Sequence, residues 1–116
     1  MSESMYPRAT REMSDRRAAL APKAAEAFRN FNRTVFREGN LSRKTKELIA
    51  VAAAHVTQCP YCIRGHTQLA RRQGATAEEI MEAIWVAAEM RAGAAYAHAA
   101  LALEELDQEQ GGAGDE

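Results

Sequence analysis

Two cysteines and a histidine lie close together near the middle of the chain, within residues 59–66. Cys59 and Cys62 have the C-x-x-C spacing that allows a dithiol to close into a disulfide and reopen, carrying two electrons. His66 follows Cys62 by four residues, so on a helix both side chains lie on one face, where the imidazole can accept the thiol proton directly or through a water molecule. The spacing indicates thiol redox chemistry, with metal binding as the other use of such residues.

Pro60 places these thiols at the start of a helix. Proline disfavours the helical conformation at the preceding Cys59 and suits the first helical position, so the sequence predicts one helix ending before Cys59 and another beginning at Pro60. The unpaired N–H groups of a helix N-terminus stabilise an anion. Cys62 in the first turn and Cys59 at its start are therefore expected to have lowered pKa values and more thiolate at neutral pH.

Glu47 is the acidic residue that could orient His66. If the helices before and after the C-x-x-C motif fold back on each other, a rise of about 1.5 Å per residue leaves an axial gap of roughly 7–8 Å between the two positions. Two long side chains can bridge that gap, so the spacing permits the pair without requiring it. The alternative is a solvated carboxylate that pairs with Arg43, Lys44 or Lys46.

The surrounding sequence reads as helices that would hold these residues in place. Alanine is abundant, β-branched residues are sparse and no strand pattern is present, which favours an all-α fold. A chain of 116 residues is expected to form one domain, here placed at residues 16–109, with disordered segments at 1–15 and 110–116. The predicted helices run from Pro22 to Arg37, from Ser42 to about Thr57, from Pro60 to Gly74 and from Thr76 to a break near Met90 and Gly93, followed by a final alanine-rich helix.

The sequence makes further predictions about the starts of two of these helices and the burial of one. Ser42 is a good N-cap, and small apolar residues surround the core stripe of the helix that follows it, so that helix is expected to be buried on nearly all sides. The stretch Thr76-Ala77-Glu78-Glu79 forms a capping box, which predicts a helix start at Thr76.

Charge is distributed unevenly along a chain whose formal net charge is −1. Residues 1–47 carry most of the basic side chains, and the segment after Leu103 has acidic residues without a base. Nucleic-acid binding is not expected, because the basic residues lack interleaved aromatic residues and a recognition motif. The N-terminal residues lack the apolar stretch of a secretory signal, and charged residues interrupt every apolar run, so the sequence predicts a cytoplasmic protein that does not span a membrane.

Glu47 is followed by eleven residues, the C-P-Y-C motif of residues 59–62, three further residues and His66. This pattern resembles that of the AhpD-like alkylhydroperoxidase branch of the carboxymuconolactone decarboxylase family. The resemblance extends over residues 42–106 and includes the M-R-A-G-A-A stretch at residues 90–95. It does not cover the N-terminal region or the acidic tail.

The resemblance implies an AhpD-like helical bundle with the C-x-x-C at a helix N-terminus, assembled into homotrimers or homohexamers, and a thiol peroxidase cycle. In that cycle Cys62 attacks a hydroperoxide and becomes a sulfenic acid, and Cys59 resolves it to a Cys59–Cys62 disulfide. Glu47 and His66 form the proton relay that deprotonates Cys62. A dithiol donor, such as a lipoylated or thioredoxin-like protein, then reduces the disulfide, so the dithiol is the only redox group implied and no separate cofactor or metal is expected.

Tyr61 departs from the family pattern. In some members a histidine between the two cysteines joins the relay, so its replacement here predicts a shorter relay and weaker peroxidase activity. His55, four residues before Cys59, could partly substitute for it. The more common setting of a buried histidine is structural, with its ring satisfied by hydrogen bonds.

Three other functions remain open from the sequence. The other branch of the family decarboxylates a lactone in aromatic catabolism without depending on a C-x-x-C, and Arg64 and Arg91 could supply positive charge for an anionic substrate. Cys59, Cys62 and His66 could bind zinc if a fourth ligand joined them. A redox-sensing or scaffold oligomer without turnover is the third.

Overall fold

Six α-helices and no strand make up the part of the chain that the computed structural model describes, residues 5–111. The all-α prediction is therefore confirmed. In chain order the helices are α1 (Arg11–Leu20), α2 (Pro22–Phe36), α3 (Arg43–Thr57), α4 (Pro60–Arg72), α5 (Ala77–Ala97) and α6 (Ala99–Gly111). No helix within those residues combines the length and the hydropathy that crossing a bilayer requires. The predicted disordered tail, residues 110–116, begins too early, because α6 extends to Gly111; its residues from position 112 onward lie outside the described part of the chain.

Local hydrogen bonds and one proline set the starts of the helices around the site. The Ser42 side chain accepts the Thr45 N–H at 3.1 Å at the start of α3. At the start of α5, Thr76 accepts the Glu79 N–H at 3.1 Å and Glu79 accepts the Thr76 N–H at 2.8 Å, so two free N–H groups are satisfied reciprocally. Pro60 occupies the first turn of α4. These three predicted helix starts are confirmed.

α3 is the central helix and packs against both α4 and α5. The core between these helices includes Val51 of α3, Ala70 of α4 and Ile80 of α5, of which Val51 and Ala70 are fully buried. The chain reverses between α3 and α4 at Gln58, whose left-handed conformation (φ 59°, ψ 42°) ends α3. The two helices therefore lie side by side, which brings the early part of α3 close to the middle of α4.

The N-terminal region departs from the expectation of disorder over residues 1–15. α1 begins at Arg11, because the Thr10 side chain accepts the Met13 N–H at 3.1 Å and caps the helix. No residue of α1 is buried, so this helix is ordered by local bonds more than by packing. The segment before α1 contacts Tyr61 at the start of α4.

The prediction that Gly93 breaks its helix near Met90 is wrong. α5 passes through Gly93 and ends at Ala97, and the final helix begins only at Ala99. One glycine in a helix costs about 1 kcal/mol relative to alanine. The alanines on both sides of Gly93 favour continuation of the helix enough to offset that cost.

The chain is extended for its length. Its radius of gyration is 20.8 Å, whereas a compact chain of this length is expected to have a radius of gyration of about 13 Å. Phe28 and Phe31 of α2 are 65% and 63% exposed. α3 was expected to be buried on nearly all sides, yet Ile49 is 53% exposed. A single copy therefore leaves apolar faces of α2 and α3 in solvent.

Candidate active site

The C-x-x-C motif lies at the N-terminus of α4, as predicted. Cys59 is the N-cap residue, and its Sγ accepts the backbone N–H of Cys62 at 3.3 Å. Both thiols are free; Cys62 is exposed and Cys59 is half-buried. The motif therefore lies where unpaired helix N–H groups can stabilise a thiolate.

The two thiols have opposite pKa shifts because they share a hydrogen bond. The Cys62 thiol donates to Cys59, which lowers the pKa of Cys59 and raises the pKa of Cys62. The backbone N–H groups of Cys62 and Tyr61 lower the pKa of Cys59 further, and burial adds to the raised pKa of Cys62. The expected lowering of both pKa values therefore holds for Cys59 alone, and Cys62 keeps its proton unless a base removes it.

Glu47 and His66 come together between α3 and α4. Nδ1 of His66 lies 3.0 Å from Oε1 of Glu47, so the ring N–H donates to the carboxylate. Glu47 is 5% exposed and is the only buried charged side chain within residues 5–111. Because Nδ1 is engaged, Nε2 is the nitrogen of His66 that remains available for proton transfer. The pair that the helix spacing permitted is present in the structure.

α2 adds an aromatic ring to the surroundings of His66. Phe36 stacks on the imidazole, with ring centroids 5.1 Å apart and ring planes inclined by 21°. Lys46 holds the end of α2 in this position, because its Nζ donates to the Val35 carbonyl at 2.8 Å and also to the Arg37 carbonyl. Side chains from α2 and α3 thus restrict the orientation of a histidine on α4.

An open pocket of about 760 Å³ lies beside Cys62. Glu47 and His66 line the same pocket, whereas Cys59 is not part of its lining. The walls combine apolar side chains with arginines: Phe36, Tyr61, Leu69, Arg33, Arg37 and Arg43. A substrate that enters the pocket therefore meets the Cys62 thiol and the Glu47–His66 pair together.

His55 and Tyr61, the two residues considered for an extended relay, lie in different surroundings. His55 does not line the pocket, and its Nδ1 lies 2.7 Å from the Val51 carbonyl oxygen, which is the hydrogen-bonded structural setting offered as the alternative. Tyr61 lines the pocket, and its hydroxyl donates to the Pro7 carbonyl at 2.7 Å. Tyr6 contacts the Tyr61 ring edge to face, with centroids 5.9 Å apart. The N-terminal segment therefore covers part of the start of α4.

The arginines that line the pocket are not the ones considered for an anionic substrate. Arg64 is exposed on α4 outside the pocket lining, and Arg91 donates to the Val56 carbonyl at 3.3 Å. The positive charge of the pocket comes instead from three other residues, Arg33, Arg37 and Arg43.

The zinc alternative requires four ligands that converge on one point. Cys59, Cys62 and His66 would supply three of them, with His66 binding through Nε2 because its Nδ1 bonds to Glu47. Across residues 5–111, no three side chains of His, Cys, Asp or Glu converge closely enough to hold a metal ion. The geometry therefore adds no support to the zinc alternative.

Phe36 and Arg33 of α2, and Arg37 at its C-cap, are site residues that the sequence reasoning did not identify. Arg33, Phe36 and Arg37 have i, i+3, i+4 spacing and therefore share one face at the end of α2. That spacing is a usable signal for a common face. It does not indicate that the face meets α4, because the contact joins helices that are distant in sequence.

Comparison with known proteins identifies relatives of nearly the whole chain. The chain is 55% identical over 111 residues to an uncharacterised protein of Paracoccus denitrificans, protein 4 in the cox locus, covering 96% of this chain and 99% of that protein. The structure of the present chain is similar to that of a carboxymuconolactone decarboxylase family protein from Legionella pneumophila, with a TM-score of 0.67 and 34% identity. The match covers 84% of this chain and 87% of the Legionella chain.

A second similar structure is that of a Thermotoga maritima family member for which an involvement in antioxidative response has been suggested. It has a TM-score of 0.54 and 30% identity, and the match covers 72% of this chain and 95% of that one. The model of the carboxymuconolactone decarboxylase family matches residues 22–105, which include the C-x-x-C motif, the Glu47–His66 pair and the arginines of the pocket. The chain therefore belongs to the carboxymuconolactone decarboxylase family.

Proposed function

We propose that the chain is a thiol-dependent peroxidase that reduces hydroperoxides through the Cys59–Cys62 dithiol. The observation that carries the proposal is the 3.0 Å hydrogen bond between Glu47 and His66 in the wall of the pocket that also exposes Cys62. A buried acid that orients a histidine beside a nucleophile is an arrangement that activates thiols and hydroxyls. The antioxidative involvement suggested for the Thermotoga maritima relative is consistent with this chemistry.

The reaction begins when His66, with its Nδ1–H held by Glu47, takes the proton of the Cys62 thiol at Nε2. The Cys62 thiolate attacks the terminal peroxide oxygen, the O–O bond breaks, and the leaving alkoxide takes the proton from His66 to form an alcohol. Cys62 is then a sulfenic acid. The Cys59 thiolate attacks that sulfur, a disulfide forms, and the departing hydroxide takes a proton from solvent and leaves as water. The peroxide gains two electrons and the dithiol loses them.

Exposure and pKa give the two thiols different tasks. Cys62 is exposed and lines the pocket, so it is the sulfur that a peroxide can reach. Its raised pKa keeps it protonated at neutral pH, which is why a base beside it would increase the rate. Cys59 lies outside the pocket lining, and its lowered pKa makes it ionise more readily than Cys62, so we assign it to resolving the sulfenic acid.

A second dithiol must reduce the Cys59–Cys62 disulfide to complete the cycle. We propose a lipoylated or thioredoxin-like protein as the donor, and the cytoplasm, where thiols are kept reduced, as the compartment. The exposed position of Cys62 gives an attacking thiolate of the donor access to its sulfur. The cycle requires no metal and no separate cofactor.

Peroxide consumption with a dithiol donor tests the proposal. With tert-butyl hydroperoxide and dihydrolipoamide, the wild type is expected to consume peroxide and Cys62→Ser to lose this activity. Cys59→Ser is expected to complete one turnover and to accumulate a sulfenic acid on Cys62 that dimedone traps. Arg64→Ala, at an exposed position of α4 outside the pocket, is the control. Inactive wild-type protein, or full activity in Cys62→Ser, would overturn the proposal.

We also propose that copies of the chain assemble into a homotrimer or homohexamer. On α2, Phe28 and Phe31 are exposed and are turned about 80° and 140° around the helix axis from Phe36, given about 100° of rotation per residue. On α5, Trp85 and Val86 are also exposed. Apolar side chains exposed on this scale mark protein–protein contacts.

Lactone decarboxylation is the second candidate function. The family match and the three arginines of the pocket favour it, because that reaction needs positive charge for an anionic substrate and does not depend on thiols. Turnover of a carboxylated lactone by a variant that lacks both cysteines would support decarboxylation over peroxide reduction.

A further inference from the structure

The pocket beside Cys62 is far larger than hydrogen peroxide requires. Its volume is about 760 Å³, whereas one water molecule occupies about 30 Å³ of liquid. Pockets of this size hold organic molecules that combine an apolar body with a few polar groups. The walls of the pocket therefore contain information about which organic hydroperoxide fits.

Three arginines leave an excess of positive charge in the pocket wall. Arg33 and Arg37 lie one turn apart near the end of α2, and Arg43 begins α3. None of the three forms an ion pair with a carboxylate elsewhere in residues 5–111. Two carboxylates line the pocket, and Glu47 is already engaged by the imidazole. Glu38 is therefore the one lining carboxylate available to balance the charge of the three guanidinium groups.

Beside these charged groups and the amides of Asn32 and Gln73, the pocket wall has an apolar part. Phe36, Tyr61 and Leu69 line it together with Cys62. A molecule with a carboxylate at one end and an alkyl body would satisfy both kinds of wall. Guanidinium groups bind carboxylates through paired, charge-assisted hydrogen bonds, and the alkyl body gains from removal of its surface from water.

We propose that the preferred substrates are organic hydroperoxides that carry a carboxylate, such as fatty-acid hydroperoxides. The inference rests on the proposed peroxidase function and adds its substrate class. The carboxylate binds the arginines, the alkyl body lies against the apolar wall, and the peroxide group reaches Cys62. The Cys62 sulfur takes the terminal oxygen, the O–O bond breaks, and the hydroxy acid leaves with the proton returned by His66.

A pair of matched substrates isolates the effect of the carboxylate. A fatty-acid hydroperoxide and its methyl ester, both used below the concentration at which they form micelles, differ only in that group. We expect the wild type to have a kcat/KM about tenfold higher for the acid than for the ester, the size of effect that one charge-assisted contact supports. Arg33→Gln and Arg43→Gln are each expected to lower this acid-to-ester ratio.

Arg64→Gln is the control, because it removes the same charge from an exposed position outside the pocket. Its acid-to-ester ratio should equal that of the wild type. If the wild type treats acid and ester equally, or if Arg64→Gln lowers the ratio as much as Arg33→Gln, the substrate class is overturned while the peroxidase proposal stands.

Measuring how tightly the hydroxy-acid product binds tests the proposed substrate class independently of the proposed peroxidase reaction. If the wild type reduces neither hydroperoxide, the peroxidase proposal fails, and titration calorimetry with the hydroxy acid still tests the pocket because it needs no turnover. We expect the wild type to bind the hydroxy acid about ten times more tightly than its methyl ester, with that preference reduced in Arg33→Gln. Equal affinity for acid and ester would overturn the inference.

Discussion

Glu47 has a role that depends on a single side-chain contact. A buried carboxylate lowers stability unless donors satisfy it, and His66 supplies such a donor at 3.0 Å. Burial of an ionic pair is a poor source of stability, because apolar side chains of similar volume often stabilise the same space as well or better. The pair is better explained by function: the carboxylate fixes the proton on Nδ1 and leaves Nε2 to exchange a proton with Cys62.

Glu47→Gln tests that role while the side chain keeps its size. The amide can still bond to Nδ1, but it carries no charge to balance a proton on the imidazole, and it can donate as well as accept. We expect the single-turnover rate of Cys62 oxidation by peroxide to fall about 100-fold, as for loss of a general base. Glu82→Gln, at an exposed position of α5, is the control. An unchanged rate in Glu47→Gln would mean that the relay is not used.

The hydrogen bond between the two thiols gives a prediction about pH. Cys62 is the main cause of the lowered pKa of Cys59, so Cys62→Ala is expected to raise that pKa toward its ordinary value. At neutral pH the Cys59 thiolate fraction then falls and its alkylation by iodoacetamide slows. In Cys59→Ala the pKa of Cys62 should fall toward its ordinary value, and alkylation of Cys62 should become faster. Alkylation rates measured by mass spectrometry across a pH series check both, and shifts in the same direction would contradict the shared bond.

Among the helices, starts were easier to predict than contacts. Ser42, Pro60 and the Thr76 capping box act through local hydrogen bonds and steric limits, so the starts of α3, α4 and α5 could be predicted from short stretches of sequence. The stacking of Phe36 on His66 depends on how α2 meets α4 in space. No local rule specifies that contact, and the sequence reasoning missed it.

In the candidate site, too, the features set by local sequence could be predicted and those set by tertiary packing could not. The Glu47–His66 pair could be anticipated because a short turn joins α3 and α4, and helical rise then limits which positions are level with each other. The raised pKa of Cys62 could not be anticipated, because it depends on which sulfur donates to the other. Arg33 and Arg37 could not be assigned to the pocket either, since the end of α2 meets the site only through tertiary packing.

The N-terminal segment contacts the site through one hydrogen bond that can be removed cleanly. Tyr61→Phe retains the ring that contacts Tyr6 and deletes the hydroxyl that donates to the Pro7 carbonyl. Such a bond contributes about 1 kcal/mol, or about a fivefold change in the fraction of detached segment. We therefore expect trypsin to cleave after Arg8 about five times faster in Tyr61→Phe. Tyr96→Phe is the matched control, because Tyr96 is 85% exposed; equal cleavage of Tyr61→Phe and wild type would show that the bond does not hold the segment.

The whole molecule has a small core and a large exposed apolar surface. Val51 is the only large side chain that is fully buried within residues 5–111, and much of the remaining core is alanine. Small side chains bury little apolar area, so burial within one copy contributes little stability. Exposed side chains such as Phe31 and Trp85 could bury the missing area between copies. Stability should then depend on protein concentration, because assembly and folding are linked.

Phe31→Asp tests whether the exposed face of α2 is an interface between copies. By analytical ultracentrifugation the wild type is expected to have three or six times the mass of one chain. A carboxylate in an apolar contact is costly to desolvate, so Phe31→Asp should shift the protein to smaller species and lower its melting temperature. Gln68→Asp, at an exposed polar position of α4, introduces the same charge and should leave the assembly intact. A monomeric wild type at micromolar concentration would contradict the assembly itself, whereas an unchanged assembly in Phe31→Asp would exclude this face of α2 as the contact.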